Sequence, residues 1–375
     1  MVDEQAPVPR LVELDVLRGF ALGGILLVNI IVMSGPWAFP DGVLLPVLEA
    51  LFHNKFYVLF SFLFGYSLTM QFRAAERAGV SGRARTVRRC LALMALGAVH
   101  AVFFFIGDVL FGYGAIGLIL LLLSGLRPRA AVWAAGGLLG FAAVAMTVMI
   151  LLTDVEGGST DPSEHTRDLD AMRAGWGEAA AWRWEQFSGN MPQYLVFGVV
   201  AVLPLFLLGL AAGKIRLLED PARYLGWLPR VQLIGFGVGA PVSILGALFH
   251  WPLLAGPSLL TAPLLSAAYA ATLLRVLHAR PRVAEIFAPA GKIAGTTYIS
   301  QSVITSLIFT GYGFALAGRL NDWAIGAIAL AIYATQLYLA RIYVRRHRYG
   351  PIEWLLRAVT YGPRQFRRAP TAVAP

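Results

Sequence analysis

The chain has 375 residues, of which 58% are hydrophobic and only 14% charged, with a net charge of +10. Soluble domains carry about 25% charged residues, so this composition excludes an ordinary soluble enzyme or binding module. It points instead to an all-α polytopic membrane protein. The single cysteine, Cys90, excludes an intramolecular disulfide and any multi-cysteine metal site.

From the N-terminus, Asp3 and Glu4 precede the first apolar run and no small-residue cleavage site ends it, so it reads as a retained helix. Each span needs roughly 20 residues at 1.5 Å rise. About ten are expected, near 16–34, 55–72, 89–106, 108–126, 130–153, 193–213, 231–249, 256–275, 289–311 and 323–344. Arginines concentrate in alternate loops. FRAAERAGVSGRARTVRR (72–89) carries six, Arg127 and Arg129 mark a short turn, and Lys214, Arg216, Arg223 and Arg230 share one loop. Arg275, Arg280 and Arg282 follow, and the tail adds Arg345, Arg346, Arg348, Arg357, Arg364, Arg367 and Arg368. All fall on one side if both termini are cytoplasmic, which is the positive-inside pattern. The partners this implies are membrane lipids of an anionic inner leaflet rather than nucleic acid.

The organisation is therefore one integral membrane domain, 1–375. It has a short cytoplasmic N-terminus (1–15), an acidic extracytoplasmic loop (154–192) and a basic cytoplasmic tail (345–375). Within the loop, Trp182 and Trp184 flank Arg183 in an expected interfacial helix or acceptor-binding surface. The tail reads as an interfacial helix or a partner-binding peptide. A homodimer is among the partners the sequence allows.

Polar groups inside spans are costly and are the first places to look for function. Arg18 and Asn29 lie eleven residues apart on the first span, as do Arg89 and His100 on the third. Eleven residues is about three turns, so each pair shares a helix face. Tyr66, Gln301 and Gln336 add polar groups in other spans, and Lys292 precedes the polar run GKIAGTTYISQS. The pattern predicts a cationic tier (Arg18, Arg89, Lys292, with Arg345) and a deeper polar layer. Each amide and phenol is also a candidate for interhelical glue. His100 is the histidine well inside a span, where a neutral imidazole is a ready general base.

Asp108 can cap the helix after it or serve His100. Eight residues on a continuous helix is about 12 Å, so contact with the imidazole requires a break at Gly107. Asp15 and Arg18, at i and i+3, can form an interfacial ion pair or pre-orient the guanidinium for phosphate. His53, His165, His250, His278 and His347 fall in loops or span ends without metal-ligand spacing, so no metal is expected. GYGAIG (112–117) lies inside an apolar run and reads as helix packing rather than a dinucleotide loop.

The segments LDVLRGFALGGILLVNI, NKFYVLFSFLFGYSL, RRCLALMALGAVHAVFFFIGDVLFGYGAIGL, GKIAGTTYISQSVITSLIFTGYGFALAG and YGPIEWLLRAVTYG occur in that order. Together they resemble the YeiB-like family of bacterial inner-membrane proteins, whose C-terminal half is a domain of unknown function, number 418. The opening Asp-x-x-Arg-Gly of the first span is also distantly similar to two transmembrane acyltransferase groups, the acyltransferase-three and heparan-alpha-glucosaminide N-acetyltransferase families. The first group usually keeps a histidine fourteen residues after the Asp, where this chain has Asn29.

That resemblance implies a multi-pass protein of the bacterial cytoplasmic membrane with an acyltransferase-like bundle. Its expected activity is transfer of an acyl group, in the first instance acetyl, from cytosolic acyl-CoA to a hydroxyl or amine on a small-molecule or glycan acceptor. Arg18, Asp15, Arg89 and Lys292 would hold the CoA, and His100 would be the base. Asn29, Gln301 and Asp108 would assist, with Tyr66 and Tyr298 at the acceptor. The alternatives are a transporter using the same polar layer, with His100 as a proton relay, and a non-catalytic scaffold.

Overall fold

The structure is a computed structural model that describes residues 11–35, 44–153, 162–249 and 252–362. Arg10, Asp154, Glu156, Asp161, His250, Arg364, Arg367 and Arg368 lie outside the described residues, and nothing is described of the Glu164 and His165 side chains. Among the described residues every regular element is helical. Apolar runs with few competing side-chain hydrogen bonds leave the backbone no partner but itself, which in a bilayer selects the helix.

The first helix, α1, spans Val12–Met33. The short α2 (Leu44–Leu51) leads into α3 (Lys55–Arg77) through Asn54 in the left-handed region, a conformation asparagine tolerates. Next come α4 (Gly82–Phe103), capped by the Ser81 hydroxyl accepting from Ala84 N–H, α5 (Leu110–Leu122) and α6 (Pro128–Thr153). Two amphipathic helices, α7 (Pro162–Arg173) and α8 (Trp176–Gly189), precede α9 (Met191–Phe197), which a π-turn joins to α10 (Leu203–Lys214). The short α11 (Pro221–Tyr224) is followed by α12 (Leu228–Ile234) and, after a second π-turn, α13 (Ala240–Phe249). The chain closes with α14 (Ala255–Ala279), α15 (Val283–Lys292), α16 (Ala294–Phe309), α17 (Asp322–Arg346) and α18 (Pro351–Tyr361).

Eight helical stretches among the described residues are long and apolar enough to cross a membrane. The other two expected spans are shorter. The fourth is α5, whose helix starts only at Leu110 and ends in a 3-10 turn at Gly125. The ninth breaks at Ile293, whose ψ of 44° leaves the helical region and divides α15 from α16.

Glycines set the tightest crossings. A Cβ on Gly65 would lie 2.1 Å from the Phe206 carbonyl oxygen, and one on Gly209 2.0 Å from that of Phe62, so α3 and α10 meet backbone to backbone. The same reciprocity joins α1 to α15, where a Cβ on Gly291 would lie 1.8 Å from the Asp15 oxygen and one on Gly19 2.1 Å from that of Phe287. Small residues at such crossings supply the packing that hydrophobicity cannot drive between helices in lipid. The largest core then gathers Leu14, Leu17 and Leu22 of α1, Leu63 and Tyr66 of α3, and Leu274 of α14. Outer faces carry exposed apolar side chains, such as Trp133 at 80% and Leu233 at 75% exposure.

The two ends of the bundle differ. Residues from the start of α1, the end of α3, the start of α4, the α10–α11 loop, the α15–α16 break and α18 surround one cavity. At the other end, Gly318 N–H donates to Ser34 O (2.7 Å), and Arg173 of α7 donates through Nε to Ala317 O (2.8 Å). The arginine-rich segments around 73–89, 216 and 348 thus converge at the cavity end.

Candidate functional site

The cavity has a volume of about 880 Å³, within the roughly 300–1,000 Å³ of small-molecule and cofactor sites. Arg18, Arg89 and Lys292, predicted as a tier, all line it. Arg345 is exposed and does not; Arg348 takes its place. Arg73, Arg77 and Arg216 join them, so seven cations face three carboxylates, Asp15, Glu219 and Glu353, an excess of four.

The carboxylates are engaged in specific ways. Asp15, only 5% exposed, pairs with Arg18 Nη1 at 3.2 Å, and Arg18 Nη2 donates to the Ser67 hydroxyl. The i, i+3 spacing on α1 therefore yields a guanidinium held from two helices. Arg73 bonds Glu219 and also donates to Gly213 O at 3.0 Å, tying α3 to the end of α10. Glu353, reached by α18, accepts from Gly295 N–H (2.7 Å), Thr296 N–H (3.2 Å) and the Thr296 hydroxyl (2.7 Å). It caps α16 from another helix, satisfying amides that the break at Ile293 would otherwise leave orphaned. Arg89 lies with its guanidinium 5.8 Å from the Phe64 ring centroid. Its Nε is buried and has no hydrogen-bond partner among the described residues.

Deeper in, the cavity lining turns apolar at Phe60, Leu93, Leu96 and Leu110. His100 lies one turn beyond Leu96 on α4, about 6 Å along the axis, and does not line the cavity. It is 1% exposed, and its Nδ1 is 2.8 Å from Asp108 Oδ1. The break that permits this comes earlier than Gly107. Helix α4 ends at Phe103, and Phe104, at φ −127°, starts a turn that swings Asp108 back over the imidazole. Asp108 Oδ2 accepts from Phe111 N–H at 2.7 Å, so one carboxylate both caps α5 and holds the ring. Gly97 leaves the room for this, since a Cβ there would lie 2.2 Å from Phe111 N and 2.6 Å from Asp108 Oδ2.

In the neutral imidazole, a carboxylate on Nδ1 selects the tautomer with the proton there and leaves the lone pair on Nε2. Nε2 is buried without a hydrogen-bond partner among the described residues. Leaving a buried polar atom unsatisfied costs about 1–3 kcal/mol, and a catalytic role is one of the reasons such an atom is kept. The Tyr298 ring packs 5.3 Å from the imidazole, and its hydroxyl accepts weakly from Val109 N–H at 3.4 Å.

The remaining predicted residues sit elsewhere. Gln301 Nε2 donates to Gln336 Oε1 (3.0 Å) and to Leu22 O (3.3 Å), and Gln336 Nε2 donates to the Ser300 hydroxyl (2.9 Å). These amides tie α16, α17 and α1 together and line neither the cavity nor the imidazole pocket. The Tyr66 hydroxyl accepts from Leu218 N–H at 3.2 Å, fixing the α10–α11 loop. Asn29 is half-buried near the far end of α1, away from the cavity lining. Cys90 is buried, with its Sγ where a Cβ on Gly117 would approach to 2.9 Å.

On α8 Arg183 points inward. It is 3% exposed, donates to Phe103 O at 3.3 Å and lies 5.8 Å from the Tyr312 ring centroid. Burial, the larger effect, lowers its pKa, and Tyr312 partly opposes this. Trp176 stacks on Phe103 with centroids 5.6 Å apart. Helix α8 is thus a packed cap above the end of α4, while Trp184 is 56% exposed. Among the described residues no group of three or more His, Cys, Asp or Glu side chains converges as a metal site would require.

Arg73, Arg77, Arg216, Arg348 and Glu353 belong to the cavity without having been singled out for it. The arginines read equally well as positive-inside charges, and a cap supplied from 58 residues away leaves no local signal.

Fold and site together define a multi-pass α-helical membrane protein with a cationic cavity at its basic end and a buried carboxylate–imidazole pair behind that cavity. Residues 212–363 match the family described as Protein of unknown function (DUF418). The chain is 29% identical to the uncharacterized protein YxaH of Bacillus subtilis (strain 168) over 385 aligned residues, covering 94% of each chain. It is 26% identical to the uncharacterized protein YeiB of Escherichia coli (strain K12) over 404 residues, covering 94% of this chain and 96% of that one. An uncharacterized 39.9 kDa protein of Bacillus acidopullulyticus is 28% identical over 381 residues. These matches, along almost the whole chain, support a YeiB-like family. No solved structure matches it.

Proposed function

We propose that the protein is an acyl-CoA-dependent acyltransferase of the bacterial cytoplasmic membrane, with the basic end cytoplasmic and both termini inside. The observation that carries this reading is the convergence of seven cations on one cavity whose inner wall lies one turn below an imidazole with a bare Nε2. A polyanionic ligand with a thin arm suits that shape. Guanidinium forks at Arg18 and Arg89 match phosphate oxygens, and Lys292 adds a point charge. Acyl-CoA supplies an activated thioester. The chain's residues bind its phosphates, exclude water behind Leu93 and Leu96, and hold a proton acceptor at His100 Nε2. Asp108 keeps the proton on Nδ1, so Nε2 is the atom that takes a proton from an acceptor hydroxyl or amine as the acceptor bonds the thioester carbonyl carbon; the C–S bond then breaks and the proton passes to the departing CoA sulfur.

His100 is separated from the cavity by Leu96, so reaction requires that wall to part on binding, as lids and gates do in many enzymes. The test is binding of acetyl-CoA to purified protein by calorimetry, and turnover of radiolabelled acetyl-CoA in proteoliposomes. Wild type is compared with Arg89→Ala and His100→Ala. Arg89→Ala should weaken binding, and His100→Ala should abolish turnover while leaving acetyl-CoA binding intact. Absence of acetyl-CoA binding would refute the proposal, and solute uptake without acyl-CoA would put a transporter in its place.

A further inference from the structure

A second hollow, of about 820 Å³, lies between α3, α6, α10, α12 and α14. Its lining is almost wholly apolar, and small residues on α14, Ser266, Ala267, Ala270 and Ala271, create the space. At one end stand Arg129 and Arg223 with Trp133 and Trp227. Both tryptophans are exposed, at 80% and 61%, and Arg230 lies 4.9 Å from the Trp227 ring centroid. Arg223 is braced by Asp220 at 3.2 Å and by Ile215 O at 3.3 Å. Arg129 makes no ion pair among the described residues.

Three features identify the occupant. Lining residues on α14 run from Pro263 to Leu274, eleven residues or about 16 Å of rise. One leaflet of a hydrocarbon core about 30 Å thick is about 15 Å deep. Tryptophans at one end of an apolar slot mark the headgroup level. Arg129 and Arg223 both line the hollow at that level, where guanidinium forks suit a phosphate, and they lie at the basic end of the bundle, the end that attracts anionic lipid.

We propose that this hollow is a binding site for an anionic glycerophospholipid of the leaflet on the basic side. One acyl chain lies along α14, and the phosphate sits between Arg129 and Arg223. The site is distinct from the charged cavity, although the two share a wall. In the α10–α11 loop Arg216 and Glu219 face the charged cavity, while Ile215, Leu217 and Leu218 face the apolar one.

The test is native mass spectrometry of the full chain released from vesicles containing equal amounts of phosphatidylglycerol and phosphatidylcholine. Wild type should retain one lipid with phosphatidylglycerol preferred. Ala270→Trp should expel it, and Ala267→Leu, a smaller filling, should weaken retention if the first variant does not yield monodisperse protein. Leu233→Trp, on an exposed face outside the hollow, should retain lipid as wild type does. Replacing both Arg129 and Arg223 by Gln should keep a lipid but cut the preference roughly 20–30-fold, each basic residue contributing roughly fivefold. Unchanged lipid retention in the filled variants, or an unchanged preference in the double Gln variant, would overturn the assignment.

Discussion

Replacing Asp108 by Asn removes a charge while preserving size, and its two bonds make the consequences separable. Oδ1 holds His100 Nδ1 at 2.8 Å and Oδ2 caps Phe111 N–H at 2.7 Å. The amide keeps one oxygen. If that oxygen stays on Phe111, the NH₂ group faces Nδ1, which must then accept. The ring proton moves to Nε2 and the bare lone pair is lost. Asn caps a helix about as well as Asp, so Asp108→Asn should cost little stability. Asp108→Ala loses the cap, worth about 0.5–2 kcal/mol, and strands a buried ring N–H at about 1–3 kcal/mol. It should therefore destabilise by about 1.5–5 kcal/mol. An Asp→Asn exchange behind a catalytic imidazole lowers turnover about 10⁴-fold in the serine-protease arrangement, and a loss on the order of 10²–10⁴-fold is expected here. Nitrogen chemical shifts of ¹⁵N-labelled histidine report the tautomer without any assumption about activity, and thermal unfolding reports the stability difference. A tautomer unchanged in Asp108→Asn, or equal destabilisation by Asn and Ala, would refute the reasoning.

Gly291→Ala should be damaging, because its Cβ would meet the Asp15 carbonyl oxygen at 1.8 Å. Forcing α15 off α1 should cost about 1–3 kcal/mol, whereas Gly140→Ala, with nothing within 4 Å, should leave the melting temperature unchanged or raised. Glu353→Ala should speed hydrogen exchange at the Gly295 and Thr296 amides, since both lose their acceptor, and Glu353→Gln should show an intermediate effect; protected amides in the Ala variant would contradict the cap. Arg18→Lys should weaken phosphate-ligand binding despite keeping the charge, because an ammonium cannot span Asp15 and Ser67 while presenting a fork; equal affinity in calorimetry would show that geometry at Arg18 is unimportant. Binding of CoA should fall as salt rises from low to physiological strength, since the cations line a solvent-reached cavity, and salt-independent affinity would argue against phosphate recognition there.

Much of this protein was legible in the linear chain for a simple reason. A span must be long, apolar and self-satisfied in its hydrogen bonds, so α1, α3, α4, α6, α10, α14 and α17 announce themselves by composition. The i, i+3 pairing of Asp15 with Arg18 follows from helix geometry alone. So does the alignment of Arg89 with the face that carries His100. Polar residues inside spans were another matter. Asn29, Tyr66, Gln301 and His100 all carry the same energetic cost in sequence. Which of them bonds a neighbouring helix and which keeps a bare nitrogen depends on the faces that happen to oppose them. Gln301 found Gln336 and Leu22, while His100 found Asp108 on one side and only rings on the other. The turn at Phe104, the break at Ile293 and the return of α18 to cap it are tertiary decisions. Each trades local helical continuity for a contact made by residues distant along the chain or folded back upon it. The sequence by itself determined eight of the ten expected spans, their charged ends and the tier of Arg18, Arg89 and Lys292. Only the tertiary structure decided that four further arginines and Glu353 share that cavity, because helix packing in lipid rests on close backbone approach and specific hydrogen bonds rather than on hydrophobic pattern.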